Sequence, residues 1–205
     1  MRPWRMFAAL AGLALATALT GGAAQAAPPA GHDCITPSGA NLNQIYGIKE
    51  RIVSPPICLE VRAGERWVVL ANSWTTAAGP DGAVYPAGYT PELPAPIDDF
   101  SAKFHIAKYV IDGGTDQERV VVAGPEALRT FVGADGLPFA TFPSPALKPL
   151  RPGTHTFAVY VVMSAQHCDG LGVNVELNCL PAGLTEWFPQ TPFEVVAKYG
   201  TPGRP

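Results

Sequence analysis

Residues 153-GTHTFAVYVVM-163 alternate with a period of two. His155, Phe157, Val159, Val161 and Met163 fall on one side, and Thr156, Ala158, Tyr160 and Val162 on the other. Successive side chains of an extended strand point to opposite faces, so this pattern reads as one strand laid against a core. The same reading holds for 191-TPFEVVAKYG-200, where Phe193, Val195, Ala197 and Tyr199 oppose Glu194, Val196 and Lys198.

Working outward, further strands are expected at 65-ERWVVLANSW-74, 101-SAKFHIAKYVI-111 and 117-QERVVVAG-124, with weaker ones near 46–53 and 137–143. The segment 57-ICLEVRAGE-65 reads as a strand, a turn and the start of the next strand. Turns rich in Gly and Asp, 111-IDGGTDQ-117 and 133-GADGLP-138, separate these runs. One helical start stands out, 125-PEALRTFV-132, with proline first and an acidic residue next. Two proline-rich stretches, 80-PDGAVYPAGYTPELPAP-96 and 143-PSPALKPLRPG-153, lack ladder donors and are expected as crossing loops or edges. Seven or so strands joined in this way predict an all-β chain, an antiparallel β-sandwich.

The run 148-KPLRPGTHTFAVYVV-162 resembles the penultimate strand of immunoglobulin-like domains in exported bacterial proteins of actinobacterial type. The resemblance implies a proline-glycine corner at Pro152 and Gly153, with His155 packed into it. It also implies an immunoglobulin-like sandwich over residues 57–200. The chain departs from that pattern in an insertion, 164–190, where a short hairpin would ordinarily join the last two strands.

At the N-terminus, Arg2 and Arg5 precede an apolar run from Met6 to about Ala18, then small residues ending in Ala24-Gln25-Ala26. These are the three parts of a secretory signal peptide, and the apolar run is shorter than the roughly 20 residues that span a bilayer. Residues 1–26 are therefore expected to be a leader, 27–56 an N-terminal extension and 201–205 a tail. Without the leader's two arginines, 12 basic residues face 17 acidic ones, a formal charge of −5. A mildly acidic chain without a basic cluster is a poor match for nucleic acid. No second long apolar run follows, so no membrane span is expected after cleavage.

Four cysteines, Cys34, Cys58, Cys168 and Cys179, lie beyond the leader. An even count in an exported chain reads as disulfides. Of the three possible connectivities, the local one, Cys34–Cys58 with Cys168–Cys179, closes two short segments. The stretch 167-HCDGLGVNVELNC-179 is then a stapled loop. A zinc site would need closer cysteines. A calcium loop would need side-chain oxygens where Gly170, Leu171, Gly172 and Val173 stand, although Asp169, Asn174, Glu176 and Asn178 could gather if the loop folded back.

No catalytic constellation, metal site or cofactor motif is expected. There is no G-x-S-x-G, and Asp98-Asp99 reads as a solvated turn. His105 should be solvated, and His167 should cap a strand end. The candidate binding surface is aromatic: Trp74, Tyr85, Tyr89 and Trp187 at strand ends or in loops, against the alternative that they close the ends of the core. Three functions follow. The first is an exported binding or envelope-accessory domain, whose partner would be a cell-wall glycan or another extracellular protein. The second is a hydrolase with Asp98, Asp99, Asp169 or Glu186 converging from end loops. The third is a self-associating structural domain.

Overall fold

The computed structural model describes residues 33–198; the expected leader and tail lie outside the described residues. The elements run α1 (Leu42–Tyr46), β1 (Arg51–Val53), β2 (Glu60–Arg62), β3 (Trp67–Val69), β4 (Trp74–Thr75), α2 (Pro96–Lys103), β5 (Phe104–Ile111), β6 (Arg119–Ala123), β7 (Arg129–Val132) and β8 (Pro138–Thr141). They continue with β9 (Gly153–Met163), β10 (His167–Cys168), α3 (Val175–Asn178), β11 (Cys179–Leu180) and β12 (Gly183–Val196). Strands dominate, as the alternating patterns require.

The main sheet has five strands in the order β2-β12-β9-β5-β6. Its neighbours are antiparallel except β2, which runs parallel to β12 with Val61 opposite Val195. The expected face of β9 is the buried one: His155, Phe157, Val159, Val161 and Met163 all lie in the interior. The core forms where this face meets Val53, Trp67, Val69, Ala140 and Phe142. These residues do not come from one facing sheet. They belong to a three-stranded sheet, β4-β8-β7, a parallel pair, β1-β3, and the segment after β8. Trp67 packs on Phe193 at 4.9 Å between ring centres, and Phe104 stacks on Phe142 at 5.3 Å.

Both expected disulfides are formed, Cys34–Cys58 and Cys168–Cys179. The first closes a small second core with Ile48, Ile52, Val68 and Leu70. The pair indicates an oxidising environment for the folded chain. Among the described residues no helix is long and apolar enough to cross a membrane.

Four local expectations are corrected. Residues 96–103, read as loop and strand, form helix α2, because Pro96 and the acidic pair after it make a good first turn. The helical start at 125, expected to run one or two turns, makes one 3₁₀ turn, Pro125–Ala127, but Arg129–Val132, read with it, form β7; Phe131 and Val132 gain more by pairing with β8 than by continuing a turn. The last strand starts at Gly183 rather than after 190, so β12 has 14 residues and the insertion is shorter. Register shifts between Glu186 and Phe188, and between Phe188 and Thr191, let β12 bend past its prolines. The fourth concerns Asp99, which is fully buried and not a solvated turn residue.

Candidate functional site

Helix α2 carries Asp99 and Lys103 four residues apart, on one face and both turned inward; Asp99 has no exposed surface and Lys103 is 3% exposed. A lone buried charge would be costly, and here the two are paired at 2.9 Å. The proline-rich stretch before α2 folds back on the same carboxylate. Backbone N–H groups of Glu92 and Leu93 donate to Oδ1, and the Tyr89 hydroxyl donates to Oδ2 at 2.9 Å. From the other end of the chain, His167 Nδ1 donates to Oδ2 at 2.8 Å. Asp99 thus ties residues 89–93, α2 and β10 together through five hydrogen bonds.

The charges arrange themselves accordingly. Burial would raise the Asp99 carboxyl, but the bonds from His167, Lys103, the Leu93 amide and Tyr89 outweigh it and hold the group down at about 2. Burial alone would lower the Lys103 ammonium; Asp99 and Tyr89 more than reverse this. His167 is lowered, because burial disfavours imidazolium more strongly than Asp99 favours it. The hub is therefore a Lys–Asp ion pair with a neutral histidine and a tyrosine as added donors. With Nδ1–H committed to Asp99, His167 Nε2 is left as an acceptor.

Above the hub sits the stapled loop. His167 pairs with Leu180 and Cys168 with Cys179 in a two-residue antiparallel ladder, which the disulfide locks. Asp169 Oδ1 accepts from the Leu171 amide, and its Oδ2 accepts from the Asn178 side chain. Asn174 caps α3 by accepting from Glu176 and Leu177. The loop is sewn down along its flank: Ala77 N donates to the Asp169 carbonyl and Val84 N to the Gly170 carbonyl. Gly170 is required there twice over, by a φ of +76° and because a Cβ would approach Ala83 Cβ to 3.0 Å.

All four sequence-predicted aromatics converge on this region. Trp74 touches the His167 ring at 6.0 Å, Phe100 at 6.3 Å and Trp187 at 5.6 Å. Tyr85 packs on Tyr89 at 5.3 Å. Each is half-buried, and Trp187 Nε1 donates to the Asn72 carbonyl. They form a collar around the hub. Among the described residues, four buried side-chain polar atoms have no partner in the protein: His167 Nε2, Trp74 Nε1, Tyr85 Oη and Thr185 Oγ1. Buried polar atoms are normally paired, and three of these four belong to the hub or its collar.

The outer face of the loop is apolar. Leu171, Val173, Val175 and Leu177 are all exposed, Val173 by 65% and Leu177 by 74%. Exposed Val84 joins them by bridging to Leu171. Beside α3 lies a cleft of about 570 Å³, lined in part by Val175, Glu176, Thr185, Glu186 and Trp187.

Asp99 and Asp169 are both buried and already engaged by donors, while Asp98 and Glu186 are exposed. Among the described residues no group of three His, Cys, Asp or Glu is placed to hold a metal ion. His105 is exposed as expected, whereas His167 is not a strand cap but a member of the hub. The signal for the hub was present in the sequence: proline followed by two acidic residues, with lysine one turn on. Nothing local marked His167 as its distant partner. No protein-family model, curated protein or solved structure matches this chain.

Proposed function

We propose that this chain is an exported, non-catalytic domain of immunoglobulin-like build that acts as a binding accessory of the cell envelope, recognising a protein partner through its stapled loop. One observation carries the reading. Four aliphatic side chains, Leu171, Val173, Val175 and Leu177, face solvent on a short loop whose backbone is held by a disulfide and by a buried ion-pair hub. Exposed contiguous apolar surface marks interaction sites, and a preordered loop loses little entropy on binding. The half-buried packing of Trp74, Tyr85 and Tyr89 favours a protein over a glycan, because their ring faces are already used.

Two features support the immunoglobulin-like build. The order β5-β9-β12 follows the C-F-G arrangement of such sheets. His155 Nε2 meets the Arg151 carbonyl four residues upstream at 2.9 Å, the role a tyrosine plays at the corner of that fold. The leader pattern and the two disulfides support export.

The test is co-sedimentation of the purified, oxidised protein with native cell wall and with wall stripped of protein. Pelleting with native wall only, abolished by Leu177→Asp, is the expected result. Pelleting with both walls, weakened by Trp187→Ala, would make the ligand a glycan. No pelleting with either would end the envelope reading.

A further inference from the structure

A second concave site lies away from the stapled loop, at the open edge of the main sheet. Strand β6 is the last strand of that sheet. The proline-rich segment after β8 meets β3 at two points, where Ser144 N donates to the Val69 carbonyl and where Leu147 bridges to Trp67. With no further strand to fill the space between β6 and this segment, a groove of about 370 Å³ remains. The apolar lining that reaches the surface is Val120, Val121 and Ala146, while Trp67, Ile111 and Leu147, which also border the groove, are buried. The indole N–H of Trp67 is spent on the Lys148 carbonyl at 3.1 Å.

Two cations, Arg119 and Lys148, line the groove with them. Both are exposed, and neither pairs with a carboxylate among the described residues. An adjoining cleft shares Arg119 and adds Arg151. No acidic residue lines either cavity, although acidic residues outnumber basic ones in the chain, 17 to 14. An apolar groove with an uncompensated basic rim is complementary to a molecule apolar along its length and anionic at one end.

We propose that this groove binds a single-chain anionic amphiphile, with its alkyl chain along Val120, Val121 and Ala146 and its carboxylate or phosphate head on Arg119 and Lys148. The volume lies at the lower end of small-molecule sites, roughly 300–1,000 Å³, which suits one chain and not two. Chain burial supplies the driving force, because it removes apolar surface from water. The guanidinium supplies the orientation, since its fork matches carboxylate and phosphate oxygens. The site shares no residue with the stapled loop, so either proposal can fail without the other.

The test is calorimetric titration of the purified, oxidised protein with sodium laurate and dodecyl phosphate, each below its micellar concentration, with dodecanol below its solubility limit, and with inorganic phosphate. Laurate, dodecyl phosphate or both should bind, and which one does identifies the head group. Dodecanol should bind about tenfold or more weakly, and inorganic phosphate not measurably. Charge reversal by Arg119→Glu with Lys148→Glu, at two exposed positions where folding is not at risk, should weaken the anion by about tenfold or more and leave Leu177→Asp-sensitive pelleting unchanged. Val121→Trp should fill the groove and abolish binding. Failure of both anions to bind, equal binding of dodecanol, or unaltered binding by the charge-reversed protein would each overturn the proposal.

Discussion

Two histidine–aspartate pairs clamp opposite ends of the same ladder. Strands β5 and β9 are antiparallel, with Phe104 opposite Met163 at one end and Ile111 opposite Phe157 at the other. Just beyond the second end, His155 Nδ1 lies 2.8 Å from Asp112 Oδ2; just beyond the first, His167 Nδ1 lies 2.8 Å from Asp99 Oδ2. The contacts match, but the surroundings do not. Asp112 holds a local corner: its other oxygen accepts from the Thr156 amide, and His155 Nε2 meets the Arg151 carbonyl. Asp99 gathers distant segments, adds a buried lysine, and leaves His167 Nε2 without a protein partner. One pair finishes a turn. The other supports a loop that faces outward. A histidine–aspartate contact thus has no fixed role; what else the two side chains touch decides it.

Removing each carboxylate should separate the two clamps most strongly. Asp99→Ala strands the Lys103 charge in the interior and should cost about 3–5 kcal/mol in denaturant unfolding. Asp112→Ala removes hydrogen bonds but leaves no buried lysine, and should cost about 1–3 kcal/mol. Equal losses would mean that the two ends are equivalent after all. Opening the staple with Cys168→Ser and Cys179→Ser should cost about 3 kcal/mol. It should also speed amide exchange at Asp169 and Leu171 while leaving Thr156, at the other clamp, protected.

Acid should act next. His167 is held neutral when folded and titrates near 6.5 when unfolded, so below that pH the unfolded chain binds the extra proton and stability falls. The loss should approach about 1.4 kcal/mol per pH unit between 6.5 and the lowered folded value. Asp99 adds a second loss in the same direction, beginning near pH 4 and complete near 2, as its carboxylate is protonated. Thermal melts of His167→Asn should lack the first phase and keep the second. The smallest expected effect on stability is that of Leu177→Asp, within about 0.5 kcal/mol, although it should abolish partner binding.

Much of the β structure was legible because periodicity is local. The face of β9 from His155 to Met163 is buried as read, and so are Phe193 and Val195 of β12. Ala197, read onto that same face, is exposed. The disulfides were legible too, since each pairs cysteines 24 or 11 residues apart. His155 was placed correctly in its corner because the carbonyl it bonds, that of Arg151, is only four residues away, although Asp112 and Phe193 come from far along the chain. The hub as a whole was not legible: its helical part had a signal at 96–103, but Asp99 and His167 are 68 residues apart, and next to Asp98 an aspartate looks solvated.

The sequence alone therefore determined which residues extend, which cysteines join and which stretches cannot pair, because alternation, loop closure and a missing N–H act over a few residues. Only the tertiary structure decided which charges are buried, that the four aromatics form one collar, and that an apolar groove opens beside β6. Those outcomes depend on desolvation and on partners supplied from far along the chain.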